Sequence, residues 1–472
     1  MKKKIIAFLS AAAILIPSLS AMNAGAINFT LTSQIKSESA ILLNLDCDEV
    51  IYEKNADAKQ MPGPLVNIMT AVVCIEECKD LSEEITIDEE VYSPLYVTDY
   101  PDDLRFADIE DGDVLTYTDL LYAMILRSSL EASQTIAYNI GGESVSAFVE
   151  KMNEKAEELG LNDTHFTNPT GLYDPEQYTT ARDMAVLTKY ALKTAHFDSI
   201  CSTYSYSPSV PNLERHPDRE SWVWFHSNLM MDSDSDYYFA GCRGVKTANL
   251  EMGGRNIIAT ASKDGNNYLA VCLKSPLSNA DGENTFYHLT DAISLFTWAF
   301  RHFKYQVVLP DSAELGEIPV ELAEGNNYVL AKPKEEVTML WYDDVDTSLI
   351  SRDNIKWYKT SLKAPVKKGE PLGVVTLEYA GEEIGTMELV AVSDVERSVA
   401  KYNLYAAKMF PKASWFKKSL VISGVVCLIY ILVCIYAYVV FRNKKKPVKP
   451  IYAVPKVEGQ KKRKKSGNKK NS

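Results

Sequence analysis

The alternation of hydrophobic and polar residues predicts strands at both ends of the first 300 residues. Near the start, hydrophobic runs at 40–44 and 50–53 flank the polar residues 46–48, a pattern typical of a β-hairpin spanning 37–54. Later, with a tight turn at Gly265-Asn266, the strand pattern returns in the segments 244–246, 256–262 and 268–274. We therefore expect one sheet built from both ends of this region.

Hydrophobic residues spaced near 3.6 predict helices between those strands. The predicted helices cover 65–77, 118–139, 144–159 with Gly160 as its stop, 180–193, and finally about 285–303. Strands at both ends with helices between them are typical of a sandwich in which helices cover one sheet. The pattern therefore predicts the α+β class.

The pattern changes again after Lys304. Short alternating runs predict a separate small β domain at 305–395, and residues 396–419 are typical of an amphipathic or linking stalk to the membrane. The uncharged apolar run 420–441 is long enough, at about 1.5 Å per residue, to cross a hydrocarbon layer of roughly 30 Å. We predict a transmembrane helix here; a buried core helix is the alternative.

The charges that flank the apolar segments predict the topology. The tail 442–472 carries 13 Lys and Arg residues against the single acid Glu458, and positive residues stay on the cytoplasmic side of a membrane. Residues 1–26 combine three lysines, an apolar core and small residues at Ala24 and Ala26, which is the layout of a secretory signal peptide. We expect a body outside the cell membrane and a cytoplasmic tail.

The overall charge limits the partners. The whole chain has a net charge of -13, and without the signal peptide and the tail residues 27–441 carry -28. This charge disfavours nucleic acid and anionic wall polymers as electrostatic partners of the body. The basic tail is explained most simply as an anchor on anionic lipid, and a cytoplasmic protein partner is the alternative.

Cysteine and histidine spacing predicts neither a disulfide framework nor a metal site. Cys427 and Cys434 lie in the apolar run, and Cys74 and Cys78 are one turn apart on a predicted helix, which is poor disulfide geometry. The six histidines are scattered, without metal-ligand spacing. We predict no metal and no cofactor.

Residues 62–71, PGPLVNIMTA, resemble the signature PASxTKIMTA of the penicillin-binding D-alanyl-D-alanine carboxypeptidases, peptidase family S11. That family uses the serine as nucleophile and the lysine three residues later as its base, since both lie on one face of a helix. Here the two positions are Pro64 and Asn67. The resemblance therefore preserves the frame of this motif and not its reactive groups.

Each of these two substitutions removes a catalytic function that the resemblance implies. Pro64 has neither a hydroxyl nor a backbone N–H, and in this family the nucleophile's own N–H is one of two oxyanion donors. Asn67 is neutral and cannot accept the proton. Proline also suits the first turn of a helix, so Pro64 has an adequate structural explanation as a helix start.

Two further segments resemble the other motifs of the family. Residues 128–132, SSLEA, correspond to SGNDA: they keep the relay hydroxyl as Ser128 and replace the orienting asparagine by Leu130, which also suits a helical core. Residues 246–248, KTA, correspond to KTG on the strand that borders the cleft. Lys246 and Thr247 could bind a peptide carboxylate, and Ala248 adds a methyl group where glycine lets substrate approach.

Segments outside the site extend the resemblance over most of the chain. They are 148–153 (FVEKMN), 164–172 (THFTNPTGL), 180–184 (TARDM) and, in the β region, 362–369 (LKAPVKKG). The resemblance implies a serine β-lactamase/DD-peptidase-like sandwich at 27–304, followed by the family's small carboxy-terminal β domain at 305–395.

Three functions remain open. The favoured one is a membrane-anchored pseudoenzyme of peptidoglycan metabolism with no intact catalytic residues, which binds the stem peptide or a cell-wall protein through Ser128, Lys246 and Thr247. The alternatives are an active serine-type D-Ala-D-Ala carboxypeptidase with a rearranged site, and a structural scaffold for other membrane proteins.

Overall fold

The computed structural model describes residues 31, 33–209, 212–219 and 222–443. The predicted signal peptide, and the tail after Asn443, lie outside them. The helices of the described residues are α1 Asn67–Glu77, α2 Glu89–Tyr92, α3 Tyr117–Arg127, α4 Leu130–Ile140, α5 Val145–Glu158, α6 Ala181–Ala191, α7 Phe197–Cys201, α8 Tyr287–His302, α9 Val399–Met409 and α10 Ser414–Asn443.

The strands of the described residues are numbered in chain order. They are β1 Ser39–Asn44, β2 Glu49–Lys54, β3 Glu84–Thr86, β4 Val114–Thr116, β5 Ser205–Tyr206, β6 Trp224–Phe225, β7 Cys242–Leu250, β8 Gly254–Lys263, β9 Asn266–Ser275, β10 Phe303–Leu309, β11 Glu317–Glu321, β12 Tyr328–Pro333, β13 Val337–Tyr342, β14 Ser351–Trp357, β15 Leu362–Lys363, β16 Pro371–Tyr379 and β17 Glu382–Ala391.

The central sheet joins the two ends of the first region, as predicted. Its order is β2-β1-β9-β8-β7, and every neighbouring pair is antiparallel. The predicted amino-terminal hairpin is confirmed by the pairing of Ala40 with Lys54. The turn between β8 and β9 is Asp264-Gly265, one residue earlier than predicted; both have positive φ, at 51° and 81°, which suits a two-residue hairpin turn.

Each face of the sheet packs against a different set of helices, because side chains alternate along a strand. Ile257, Ala259 and Ala261 of β8 are fully buried in a core shared with α8. Ile258 points the other way, into a core shared with α1, α3, α4, α5 and α6. The predicted helix-covered sheet is therefore confirmed, with helices on both faces.

The continuous helix predicted at 118–139 is wrong. The structure has α3 and α4 instead, because Ser128 adopts a left-handed conformation with φ of 60° and ends α3. Ser129 then caps α4, its Oγ accepting the N–H of Ala132 at 3.0 Å. Periodicity missed this break, since the hydrophobic spacing continues across it. The helix predicted at 65–77 likewise begins as a 3₁₀ turn, Gly63–Val66.

Asp291 of α8 fixes the start of the chain to the sheet domain. Its buried carboxylate accepts the N–H of Lys36 at 3.0 Å, the N–H of Ser37 at 2.7 Å and the Ser37 hydroxyl at 2.6 Å. This network orients the chain just before β1.

Asp291→Ala is expected to lower the free energy of unfolding by about 3 kcal/mol, because the N–H of Lys36 and the buried N–H and hydroxyl of Ser37 lose their acceptor. Urea unfolding of the detergent-solubilised protein, followed by tryptophan fluorescence, measures this. The matched control is Asp281→Ala, an exposed aspartate in a loop, with an expected change within about 0.5 kcal/mol. Equal small losses for both variants would contradict the anchoring role.

The described chain forms two compact units. The first comprises residues up to 315 with 332–358 and 371–390, and the second comprises 316–331, 359–370 and the chain from 391. In the first unit β10 pairs with β13, and β16 lies between β14 and β17. In the second, β11 pairs antiparallel with β12 at 328–330 and parallel with β15. The strand-rich pattern predicted beyond residue 304 is confirmed.

The last helix contains the apolar run. α10 has 30 residues, encloses 420–441, and is long and apolar enough to cross a membrane. None of its side chains is buried, so the alternative of a core helix is wrong for this structure. Part of the segment 396–419, predicted as a linker, forms α9.

Candidate active site

Pro64 occupies the first of the three motif positions, inside the 3₁₀ turn that leads into α1. It is fully enclosed: Gly171 lies so close to Gly63 and Pro64 that any side chain there would collide with their backbone. The amide of Asn256 on β8 donates to the carbonyl oxygens of Met61 at 3.1 Å and Pro62 at 3.2 Å. The backbone at this position is therefore held from two sides, and it presents no hydroxyl.

Asn67 is the first residue of α1 and is completely buried. Its Nδ2 donates to the Ser133 hydroxyl and to the Pro169 carbonyl, both at 3.1 Å, and Thr70 donates to the same carbonyl at 2.9 Å. The Oδ1 atom has no hydrogen-bond partner within the described ranges. Asn67 thus connects α1 to α4 and to the 164–172 loop.

The break between α3 and α4 places Ser128 beside Lys246 of β7. Lys246 Nζ donates to the Ile125 carbonyl at 3.0 Å and makes a short hydrogen bond with Ser128 Oγ. Lys246 is fully buried, and this burial, with the positive charge of Arg105, lowers its pKa from 10.5 to about 7. A lysine with this pKa is present in both its protonated and its neutral form near neutral pH.

Thr247 and Ala248 continue β7, which is the edge strand of the central sheet as the structure describes it. The Thr247 hydroxyl is 2.7 Å from the Ser227 hydroxyl and is largely buried. A Cβ placed on Gly63 would lie 3.3 Å from the Ala248 methyl and 3.0 Å from Leu250. The side chains of β7 therefore pack directly against the turn that carries Pro64.

Leu130 lies at the first position of α4 and belongs to the hydrophobic core, with 2% of its surface exposed. Its N–H donates to the Arg105 carbonyl at 2.9 Å. Asp103, which lies two residues before Arg105, accepts the N–H of Glu251 at 2.9 Å. Residues 103–105 therefore connect the end of β7 to the start of α4, a connection that no sequence motif indicates.

Glu131 is a buried carboxylate next to the site. It accepts the Ser129 hydroxyl at 2.6 Å and the N–H of Ala107 at 3.1 Å. Burial raises its pKa above the ordinary value. These bonds hold the 103–107 segment at the start of α4, a role consistent with an acidic residue in the second motif.

His226 is a buried residue of the site that sequence reasoning missed. Its Nδ1 accepts the N–H of Asn228 at 2.9 Å, and Nε2 is 3.2 Å from the Val245 carbonyl, so a neutral ring with the proton on Nε2 satisfies both. Desolvation and the nearby charge of Lys246 lower its pKa to about 3. The ring supports the strand segment that carries Lys246.

His226→Gln is expected to flatten the loss of stability in acid. The folded-state pKa lies below the unfolded value of 6.5, so protons bind the unfolded state preferentially as the pH falls from 6.5 towards 3. Between pH 7 and pH 5 the wild type should lose about 2 kcal/mol more than the variant. Urea unfolding at both pH values measures this; exposed His165→Gln is the control, and parallel pH profiles for wild type and His226→Gln would contradict it.

The sequence predicts no metal site because its histidines and cysteines lack the spacing of metal ligands. The structure brings together His302, Asp343 and Asp344, whose ligand-type atoms lie within 4.8 Å of one another. His302 Nδ1 is within hydrogen-bond distance of Asp343, at 3.0 Å, and Lys304 forms an ion pair with Asp343 at 3.9 Å. These contacts account for the cluster. All eight cysteines are free thiols, including Cys74 and Cys78.

Comparison with known proteins places this site in a family. Residues 26–276, more than half of the chain, match the family described as D-alanyl-D-alanine carboxypeptidase, peptidase S11. The protein belongs to the D-alanyl-D-alanine carboxypeptidase family. Residues 303–397 match the C-terminal domain of penicillin-binding protein 5. The predicted membership and the α+β fold followed by a β domain are thus confirmed, and α10 is a candidate membrane anchor, as in the prediction.

Relatives match along most of their length. The chain is 26% identical over 369 residues to the D-alanyl-D-alanine carboxypeptidase DacF of Bacillus subtilis, covering 78% of this chain and 88% of the relative. It is 25% identical to DacC of Escherichia coli, covering 81% and 90%. The crystal structure of DacD from Francisella tularensis shares the fold with a TM-score of 0.56 at 19% identity, covering 81% of this chain and all of that one.

Proposed function

We propose that this protein is a membrane-anchored, extracytoplasmic member of the carboxypeptidase family that binds a peptidoglycan stem peptide or a cell-wall protein without hydrolysing it. The observation that carries the proposal is Pro64. An acyl-enzyme needs an attacking hydroxyl at this position, and the pyrrolidine ring offers neither that hydroxyl nor an N–H for the oxyanion.

The remaining catalytic positions support the same conclusion. Asn67 has no basic nitrogen, and its amide is already bonded to Ser133 and Pro169. Leu130 is a core residue whose side chain can donate to neither a base nor a substrate amide. The base and the orienting amide of the family mechanism are therefore both missing from the cleft.

The retained residues favour binding of a carboxylate. Ser128 and Thr247 are 8% and 9% exposed, and Lys246 is wholly buried. A terminal carboxylate would accept hydrogen bonds from the two hydroxyls, with Arg105 as a nearby positive charge and Lys246 partly protonated near neutral pH. This arrangement supports Ser128, Lys246 and Thr247 as the ligand-binding residues.

Binding of a D-Ala-D-Ala-terminated peptide to the detergent-solubilised protein tests this proposal. We expect saturable binding that weakens about tenfold or more in Thr247→Val, which removes the hydroxyl and keeps the shape. The peptide amide is the matched ligand control and should bind at least about tenfold more weakly than the free acid. Equal binding of acid and amide would contradict carboxylate recognition.

The Ser128–Lys246 contact favours a second candidate, an active serine-type D-Ala-D-Ala carboxypeptidase with a rearranged site. A lysine with a pKa of about 7 can act as a base, and Ser128 Oγ is its hydrogen-bond partner. The N–H groups of Ser128 and Ser129 are already bonded to carbonyls of α3, which leaves them unable to stabilise an oxyanion. We therefore favour the non-hydrolytic function.

The proposed organisation keeps the boundaries expected from the sequence. A DD-peptidase-like domain at 27–304 and a β domain at 305–395 stand outside the membrane, 396–419 link them to a span at 420–441, and 442–472 lie in the cytoplasm. The matched ranges 26–276 and 303–397 support this division. The excess of Lys and Arg after the span supports the orientation.

A further inference from the structure

A pocket lies on the α8 side of the central sheet, away from the motif residues. It encloses about 670 Å³, within the range of pockets that bind small molecules. Its lining comes from the segment before β7, the end of β8 and the last turns of α8: Phe239, Ala240, Gly241, Ser262, Lys263, Thr297, Phe300 and Arg301. None of the three motif segments contributes to it, because they face the core on the opposite side of the sheet.

The floor of this α8 pocket is aromatic. The rings of Phe239 and Phe300 are nearly parallel, with an interplanar angle of 18° and centroids 6.4 Å apart, and Phe296 supports Phe239 at 5.8 Å. Phe296 is fully buried, whereas the other two are only partly buried. An apolar ligand group would remove the remaining ring surface from water, at roughly 25 cal/mol per Å².

Two cations line the same pocket. Lys263 at the end of β8 and Arg301 in the last turn of α8 are both exposed, and neither has a side-chain hydrogen bond or ion pair in the described part of the chain. The position of Arg301 also complements the negative end of the α8 dipole, which explains one cation. The helix dipole explains neither the presence of Lys263 nor the partly exposed rings of Phe239 and Phe300.

The net charge of the body bears on the function of Lys263 and Arg301. Residues 27–441 carry a net charge of -28, so an anion is repelled by most of the body. Two cations without an ion pair, lining one pocket with partly exposed aromatic rings, are complementary to a ligand that combines a negative charge with an apolar group.

We propose that the α8 pocket binds an amphiphilic carboxylate, with the acyl chain against Phe239 and Phe300 and the carboxylate between Lys263 and Arg301. Thr297, which also lines the pocket, has a hydroxyl that offers a further donor. This binding function is independent of the peptide site at Ser128 and Lys246.

Photolabelling of the full-length protein in phosphatidylcholine vesicles tests the proposal. The probe is a ten-carbon fatty acid with an alkyl diazirine in its chain, and labelled peptides are identified by mass spectrometry. We expect saturable labelling of 239–241 and 297–301. The corresponding uncharged alcohol should label these peptides at least tenfold less, while labelling α10 equally, which controls for partition into the bilayer.

Variants assign the charge effect to the two cations. The double variant Lys263→Gln with Arg301→Gln should reduce pocket labelling by the acid about tenfold. Lys79→Gln with Lys193→Gln makes the same change of charge at exposed sites elsewhere and should leave it unchanged. The proposal is overturned by absence of label in these peptides, by equal labelling with acid and alcohol, or by unchanged labelling of the Lys263 and Arg301 double variant.

Discussion

Changing Pro64→Ser, Asn67→Lys, Leu130→Asn and Ala248→Gly together is expected to create covalent labelling by a fluorescent penicillin. The four changes supply the nucleophile and its N–H, the base, the orienting amide and the space beside β7. Lys246, Thr247 and Ser128 are already present, and Lys246 is bonded to Ile125 of α3 and to Ser128. We expect labelling at least about 100-fold above background, the size of effect associated with single oxyanion donors.

The control for this experiment keeps everything except the hydroxyl. Pro64→Ala, combined with the same three changes, restores the backbone N–H without a nucleophile and should remain unlabelled. Leu130→Asn places a polar group in the core and should cost about 2 to 4 kcal/mol, so circular dichroism must show that both variants are folded. A folded quadruple variant that stays unlabelled would mean that the cleft has also changed in shape.

Lys246→Met is expected to remove a rise of stability with pH. The folded-state pKa of about 7 lies below the ordinary 10.5, so above pH 7 the unfolded chain binds the extra proton and loses it only near pH 10.5. Stability therefore increases as the pH rises through this window, at up to about 1.4 kcal/mol per pH unit. From pH 7 to pH 9 the wild type should gain about 2 kcal/mol relative to the variant.

Urea unfolding of detergent-solubilised wild type and variant at pH 7, 8 and 9 measures this difference. Taking the difference between the two proteins cancels the buried cysteines and tyrosines, which titrate in the same alkaline range. The exposed Lys193→Met is the matched control and should follow the wild type. If Lys246→Met keeps the wild-type slope, Lys246 is charged in the folded protein and the buried neutral lysine is wrong.

The sequence predicted the parts of this fold that depend on local pattern. The alternation of hydrophobic and polar residues predicted the hairpin of β1 and β2, and hydrophobic spacing near 3.6 predicted most helices. Burial of one face of a strand or helix imposes these periods. Hydrophobic spacing did not predict the break at Ser128. A left-handed residue and a serine cap interrupt the helical backbone there without interrupting the hydrophobic spacing.

The residues of the site could be predicted only where they belong to a family motif. Pro64 and Asn67 could be located by resemblance, but the partners of Asn67 lie 66 and 102 residues away and became visible only in the structure. Lys246 meets Ser128 across 118 residues, and no spacing rule indicates His226 as its buried neighbour. Long-range packing decides these contacts and the pKa of Lys246.

Incubation of the unmodified protein with a fluorescent penicillin, beside a D-alanine release assay on a muramyl pentapeptide, tests the central claim most directly. Our account predicts no covalently labelled band at the mass of this protein and no release of D-alanine above the buffer rate. A labelled band that persists after denaturation, or D-alanine release that disappears in Ser128→Ala, would contradict it.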